Sequence, residues 1–161
     1  MGWNPEVTVA AVVEREGRFL VVEERVSGRL VLNQPAGHLE DRETLIEAAI
    51  RETREETAWR FSPEAVIGTY LWRNPENDRS FLRFAFCGTV DDHAAGQALD
   101  QGIVRAVWMT HEQLLVQPGR LRSPLVLRCI DDYLSGQRQP LASVATLGLE
   151  TALQVDSVAN L

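Results

Sequence analysis

Arg51, Glu52, Glu55 and Glu56 stand close together in a run, residues 44–57, that carries no proline or glycine. If that run is helical, a turn of about 100° per residue puts the three carboxylates on one arc. Like charges at such spacing repel and cost helix stability. A hard divalent cation reverses that sign, and carboxylate oxygens are the ligands Mg2+ takes. Alone, Glu-x-x-Glu-Glu would ordinarily be a solvated acidic face. Here Gly37 precedes it, with Glu43 after five further residues and Arg51 after seven more. Five charges at fixed offsets behind a glycine favour a metal site over a surface feature.

The element that must position these groups is legible. Thr44 and Glu47 fit a capping box, each satisfying the other's free amide at a helix start. Leu, Ala, Glu and Arg dominate from there to about Thr57, and all are good helix formers. The 3.6-residue period lines up Ile46, Ala49, Ile50, Thr53 and Thr57 as the core stripe, with the acidic arc beside it. Glu47 and Arg51 are four apart, which predicts a modest helix ion pair.

The stretch from Gly37 to Trp59, GHLEDRETLIEAAIRETREETAW, resembles the Nudix box, Gly-x5-Glu-x7-Arg-Glu-U-x-Glu-Glu-x-Gly-U, where U is bulky and apolar. Two positions depart from it. Thr53 stands where an apolar residue is usual, and its hydroxyl can bond back to a helix carbonyl. Ala58 replaces the glycine at the helix end, where left-handed angles cost Ala roughly 1 kcal/mol, so a slightly altered helix exit is expected.

The resemblance implies an α/β/α sandwich around a mixed β-sheet, and an enzyme that cleaves phosphoanhydrides with Mg2+ or Mn2+. It assigns Glu52, Glu55, Glu56 and the Ala36 carbonyl as metal ligands. Arg51 then orients the glutamates, Glu43 braces the loop–helix junction, and Glu52 or else Asp100 serves as general base. Outside the box, LNQPAGHLE (32–40), FLRF (81–84), LRSPL (121–125) and SGQR (135–138) resemble one bacterial phosphatase branch of the family. That branch implies release of orthophosphate from nucleoside tri- and diphosphates, thiamine pyrophosphate and hydroxymethylpyrimidine pyrophosphate. Two alternatives stay open: a pyrophosphohydrolase of another nucleoside diphosphate, such as a sugar nucleotide, or a Nudix module that binds without catalysis.

Composition agrees with an enzyme of small anions. The chain has 161 residues, a formal net charge of −7 and 45% hydrophobic residues, enough for one domain with a real core. An acidic protein makes a poor general ligand for nucleic acid or anionic lipid. It must concentrate positive charge locally to hold a phosphate. The longest apolar runs are strand-length, and the N-terminal residues lack a leader's basic start and apolar core. Cys87 and Cys129 have no metal-like spacing and read as packed thiols. The expectation is a cytoplasmic monomer or homodimer acting on a small phosphorylated substrate, without nucleic acid or membrane.

Around the predicted helix the chain alternates strands with turns. Residues 7–14 and 18–24 form a hairpin about Glu16-Gly17. Residues 30–33 lead into a tight turn at 34–37. Residues 65–73 and 80–90 flank a turn at 74–78, and 91–102 read as a loop. Residues 103–109 are a strand, 111–116 a short helix capped by Thr110, and 124–134 a last helix opened by Ser123-Pro124. Residues 1–142 are expected to be one domain, with 143–161 a flexible tail. Arg83 alternates with apolar neighbours, and is either a phosphate contact or an outward-facing strand arginine. Arg122, before the last helix, is a second phosphate candidate or a helix-flanking charge. Gly37 and His38 complete the candidate substrate contacts, His38 otherwise making a loop hydrogen bond. Trp72 and Tyr70 share a face, for core packing or for stacking on a ring.

Overall fold

The computed structural model describes residues 2–149. Eight strands and three α-helices alternate: β1 Glu6–Val12, β2 Glu14–Arg15, β3 Arg18–Val26, β4 Arg29–Asn33, β5 Ala36–His38, α1 Leu45–Thr57, β6 Arg60–Arg73, β7 Ser80–Asp91, β8 Ile103–Thr110, α2 His111–Leu115 and α3 Leu125–Leu134.

One four-stranded sheet runs β5-β1-β7-β6 and is mixed, since β1 and β7 are parallel and the other pairs antiparallel. The other strands form a separate antiparallel sheet, with β3 paired to β8 and to β2 and β4. Side chains alternate across the strands and fill two cores. Val9, Ala11, Val13, Phe86 and Val90 pack with Ala48 and Ala49 of α1. Val12, Ala85 and Cys87 pack with Leu125, Cys129 and Ile130 of α3. Helix, sheet and helix thus stack as the α/β/α sandwich expected, with two sheets where one was foreseen.

The hairpin expected of 7–14 with 18–24 shrinks to β2 with β3, because β1 leaves to pair with β5 and β7 in the other sheet. Two boundaries also moved. The expected turn at 34–37 contains the start of β5, because pairing with β1 gives its backbone a partner. The strand expected from Ala65 begins at Arg60; Pro63 is accommodated where the register to β7 shifts, between Pro63 and Ala65. Most of the tail expected to be flexible lies outside the described residues. Its described start does not hang free, since Val144 packs on the α1-side core beside Leu141.

Outside the cleft, Glu23 is the chief buried ion pair. Arg105 Nε and Arg120 Nη2 donate to its two oxygens at 2.6 and 2.8 Å, and they hold its carboxyl below the ordinary value of 4.5. A depressed carboxylate stabilises the fold above its unfolded value and stops doing so as pH falls through the folded one. Glu23→Gln should therefore lower the melting temperature at pH 7, and the gap to the parent should close below about pH 4. A gap of constant size from pH 7 to pH 3 would mean packing, not charge, is what the substitution removes.

Candidate active site

α1 starts as its sequence dictates. Thr44 Oγ1 accepts from the Glu47 amide and the Glu47 carboxylate from the Thr44 amide, a complete capping box. Glu47 is therefore occupied, and the ion pair expected between Glu47 and Arg51 does not form. Arg51 turns to Glu43 (2.7 and 2.9 Å), Glu52 (2.9 Å), Glu55 (3.2 Å) and the His38 carbonyl (3.0 Å). Glu43 also accepts from the Glu40 amide at 2.7 Å, so it does brace the loop–helix junction.

Two members of the acidic arc, Glu52 and Glu56, are not beside the buried face but part of it, while Glu55 stays half-exposed and outside the cleft lining. Ala48, Ala49, Glu52, Thr53, Glu56 and Thr57 are the buried residues of α1, while Ile46 and Ile50 are half-buried. The reason is β5. Gly37 stands opposite Val9 of β1, and the flanking bonds run from Leu39 N–H to Val7 and from Ala11 N–H to the Pro35 carbonyl. Backbone alternation along an antiparallel edge therefore turns Ala36 and His38 outward, toward α1. The Ala36 N–H donates to Glu56 Oε2 at 3.0 Å, and the Ala36 carbonyl lies on the same edge. Gly37 sits directly under Glu52: a Cβ there would lie 2.1 Å from its Cδ and Oε1.

The helix exit is also not what the sequence led one to expect. Ala58 adopts the left-handed angles itself, φ 62° and ψ 9°, so the usual exit is kept at some strain. The Thr53 hydroxyl bonds back to the Ala49 carbonyl at 2.8 Å, as anticipated.

Glu52 and Glu56 face a cleft of about 420 Å³, which Ala36, Gly37, Asp100, Arg83 and Arg122 also line. Asp100 arrives on the loop after β7, which is pinned to the end of α1: Asp100 N–H donates to the Glu55 carbonyl and Ala94 N–H to the Ala58 carbonyl. Arg83 is buried, which excludes the outward-facing reading. Nη1 donates to Gln34 Oε1 at 3.1 Å and Nη2 to Asn33 Oδ1 at 3.4 Å, while its buried Nε has no partner. Arg122 Nε lies 3.2 Å from Glu24. His38 reaches the rim, with its ring turned to Glu6 of β1 at 2.7 Å. Trp72 lines the cleft, stacked on Phe81 with centroids 5.8 Å apart; Tyr70 is buried and donates to Asp132 at 2.8 Å.

Crowded carboxylates set the electrostatics. Burial pushes the Glu56 carboxyl up to about 9 against the pull of the Ala36 amide, and the charges of Glu52, Glu24 and Asp100 add to the rise. Burial likewise raises Glu52, with Arg51 opposing, and Glu24, with Arg122 opposing. Glu24 is the acidic member the sequence did not single out. It sits on β3, far from the box in sequence, and only the meeting of the two sheets brings it in. Hard oxygen donors, buried and mutually repelling on one wall, fit a divalent cation. Among the described residues the side chains are not yet gathered closely enough to hold one, because Arg51 draws Glu52 and Glu55 to itself.

The fold and this carboxylate helix define a Nudix hydrolase. The chain belongs to that family: the NUDIX domain matches residues 4–128. It is 46% identical over 142 residues to Phosphatase NudJ of Escherichia coli K12, a match covering 88% of this chain and 92% of that one. A NUDIX hydrolase structure from Nitrosomonas europaea superposes with a TM-score of 0.87 at 44% identity, covering 89% of this chain and 97% of that one. A MutT NUDIX hydrolase from Burkholderia pseudomallei shares the fold at a TM-score of 0.68 and 16% identity, over 80% and 98% of the two chains. Enzymes of this family generally depend on a divalent metal. No helix among the described residues is long and apolar enough to cross a membrane.

Proposed function

We propose that this chain, with residues 1–142 as its catalytic domain, hydrolyses phosphoanhydride bonds in nucleoside tri- and diphosphates and in thiamine-related pyrophosphates. It releases orthophosphate, with Mg2+ as its ion or Mn2+ in its place. The observation that carries the reading is one cleft holding buried Glu52 and Glu56 on one wall and the buried, carboxylate-free Arg83 on another. The similarity to NudJ supports the phosphatase chemistry.

In this reading Glu52, Glu55, Glu56 and the Ala36 carbonyl hold the ion. When bound, it draws charge from the phosphate oxygens and lowers the pKa of a water. Arg51, anchored on Glu43, holds Glu52 and Glu55 together in this structure and orients them for the ion, which would take their oxygens over from the guanidinium. Arg83 donates to phosphate oxygens from the opposite wall, and Arg122 joins it on leaving Glu24. Glu52, pressed over Gly37, accepts the proton of the attacking water, with Asp100 above the helix as the alternative base.

A substrate panel with Mg2+, reading orthophosphate and pyrophosphate separately, tests this. Orthophosphate should dominate from nucleoside triphosphates, and chelation should abolish release. Dominant pyrophosphate would overturn the phosphatase assignment while leaving the family intact.

A further inference from the structure

We infer that Gln34 is a positioning residue for phosphate binding, its buried amide setting the guanidinium of Arg83 and tying it to the first turn of α3. The inference rests on Arg83 being the phosphate contact proposed above.

Gln34 is 1% exposed. Its Nε2 donates to the Val126 carbonyl at 2.7 Å, and its Oε1 accepts from Arg83 Nη1 at 3.1 Å. The two partners dictate which way the amide points: a carbonyl can only accept and a guanidinium can only donate. An uncharged side chain must therefore carry a donor and an acceptor at the same reach, which is what glutamine supplies. Asn33 lends a second, longer oxygen at 3.4 Å.

The charge state of this cradle matters as much as its shape. A buried arginine ordinarily takes a carboxylate, because an unpaired buried charge is expensive. Among the described residues Arg83 has no ion-pair partner: the nearby Glu24 pairs with Arg122, and Asp132 with Arg128. Neutral amide oxygens fix the guanidinium without cancelling its charge. Nε is sealed in the interior, and the uncancelled charge of the guanidinium is what is left for an anion in the cleft that Arg83 lines. A glutamate at position 34 would fill the same space and supply the missing counter-charge, competing with substrate. Val126 adds a link to α3, so the arginine is referenced to the helix as well as to its own strand.

The test is a double-mutant cycle on ATP hydrolysis with Mg2+, alongside affinity for the β,γ-methylene analogue of ATP. Gln34→Met should raise KM and weaken analogue binding about tenfold, with kcat changing much less. In an Arg83→Met background the same substitution should add less than about twofold, since its effect runs through the arginine. Gln34→Glu, which keeps the volume and the acceptor, should also raise KM, by ion pairing with Arg83. Additive effects of Gln34→Met and Arg83→Met would overturn the positioning role while leaving Arg83 as the phosphate contact. An Arg83→Met enzyme with unchanged KM and analogue affinity would overturn that contact and the inference with it. If Gln34→Met does not fold, Gln34→Glu with unaltered KM overturns the inference by itself.

Discussion

Glu56→Gln should lose activity by a factor of about 10² or more and yet melt at a higher temperature than the parent in the absence of metal at pH 8. Both halves come from one carboxylate. Glutamine keeps the volume and an oxygen for the Ala36 N–H, which Glu56 now accepts at 3.0 Å. It removes the charge that the ion needs. For the metal-free protein the sign is the reverse. Folding raises this carboxyl from an ordinary value of 4.5 to about 9, so the folded state keeps a proton that the unfolded state gives up. Stability then falls as pH rises between those two values. The variant has no such slope and should gain on the order of 2 kcal/mol at pH 8, with the advantage shrinking toward pH 5. Thermal melts in EDTA at both pH values, and again with Mg2+, make the comparison: added Mg2+ should raise the parent's melting temperature and leave the variant's unmoved. More than about a tenth of the activity remaining would remove Glu56 from the ligand set.

Gly37→Ala should be nearly as damaging, and for a geometric reason alone. No positive φ demands a glycine at this position; the requirement is space. The added Cβ would meet Glu52 Cδ and Oε1 at 2.1 Å. Those atoms are the end of a flexible side chain, so the carboxylate can swing aside with the backbone intact. The fold should survive with a melting temperature within a few degrees, while a displacement of about 1 Å at Glu52 should cost about a hundredfold in kcat. Wild-type turnover in a folded Gly37→Ala protein would show that Glu52 does not need its present place. Glu52 would then be neither a fixed ligand nor the base.

These two residues also mark how far the chain could be read without its structure. The capping box at Thr44 and Glu47, the extent of α1, the turn at Glu16-Gly17 and the acidic arc were all legible, because each depends on neighbours within about one helical turn or one tight turn; the partner of β1 was not, since its ladders run to β5 and β7 and not to β3. The same locality misled at Arg51, where the four-residue spacing to Glu47 pointed to a pair. The actual partner is Glu43, held by the loop.

Sequence alone pointed to the chemistry: three carboxylates and an arginine at fixed offsets on a capped helix, with a glycine upstream, favour a divalent-metal site, and the Nudix resemblance they carry implies a phosphoanhydride as its target. Only the tertiary structure decided that Glu52 and Glu56 are buried and not merely adjacent to the core, because β5 packs its outward backbone edge against them. It also decided that Glu24 joins the acidic wall, that His38 turns its ring to Glu6, and that Arg83 lies inward on Gln34 with its charge uncancelled. Such facts depend on residues brought together from distant strands, and burial and electrostatics follow from that meeting, which no local spacing encodes.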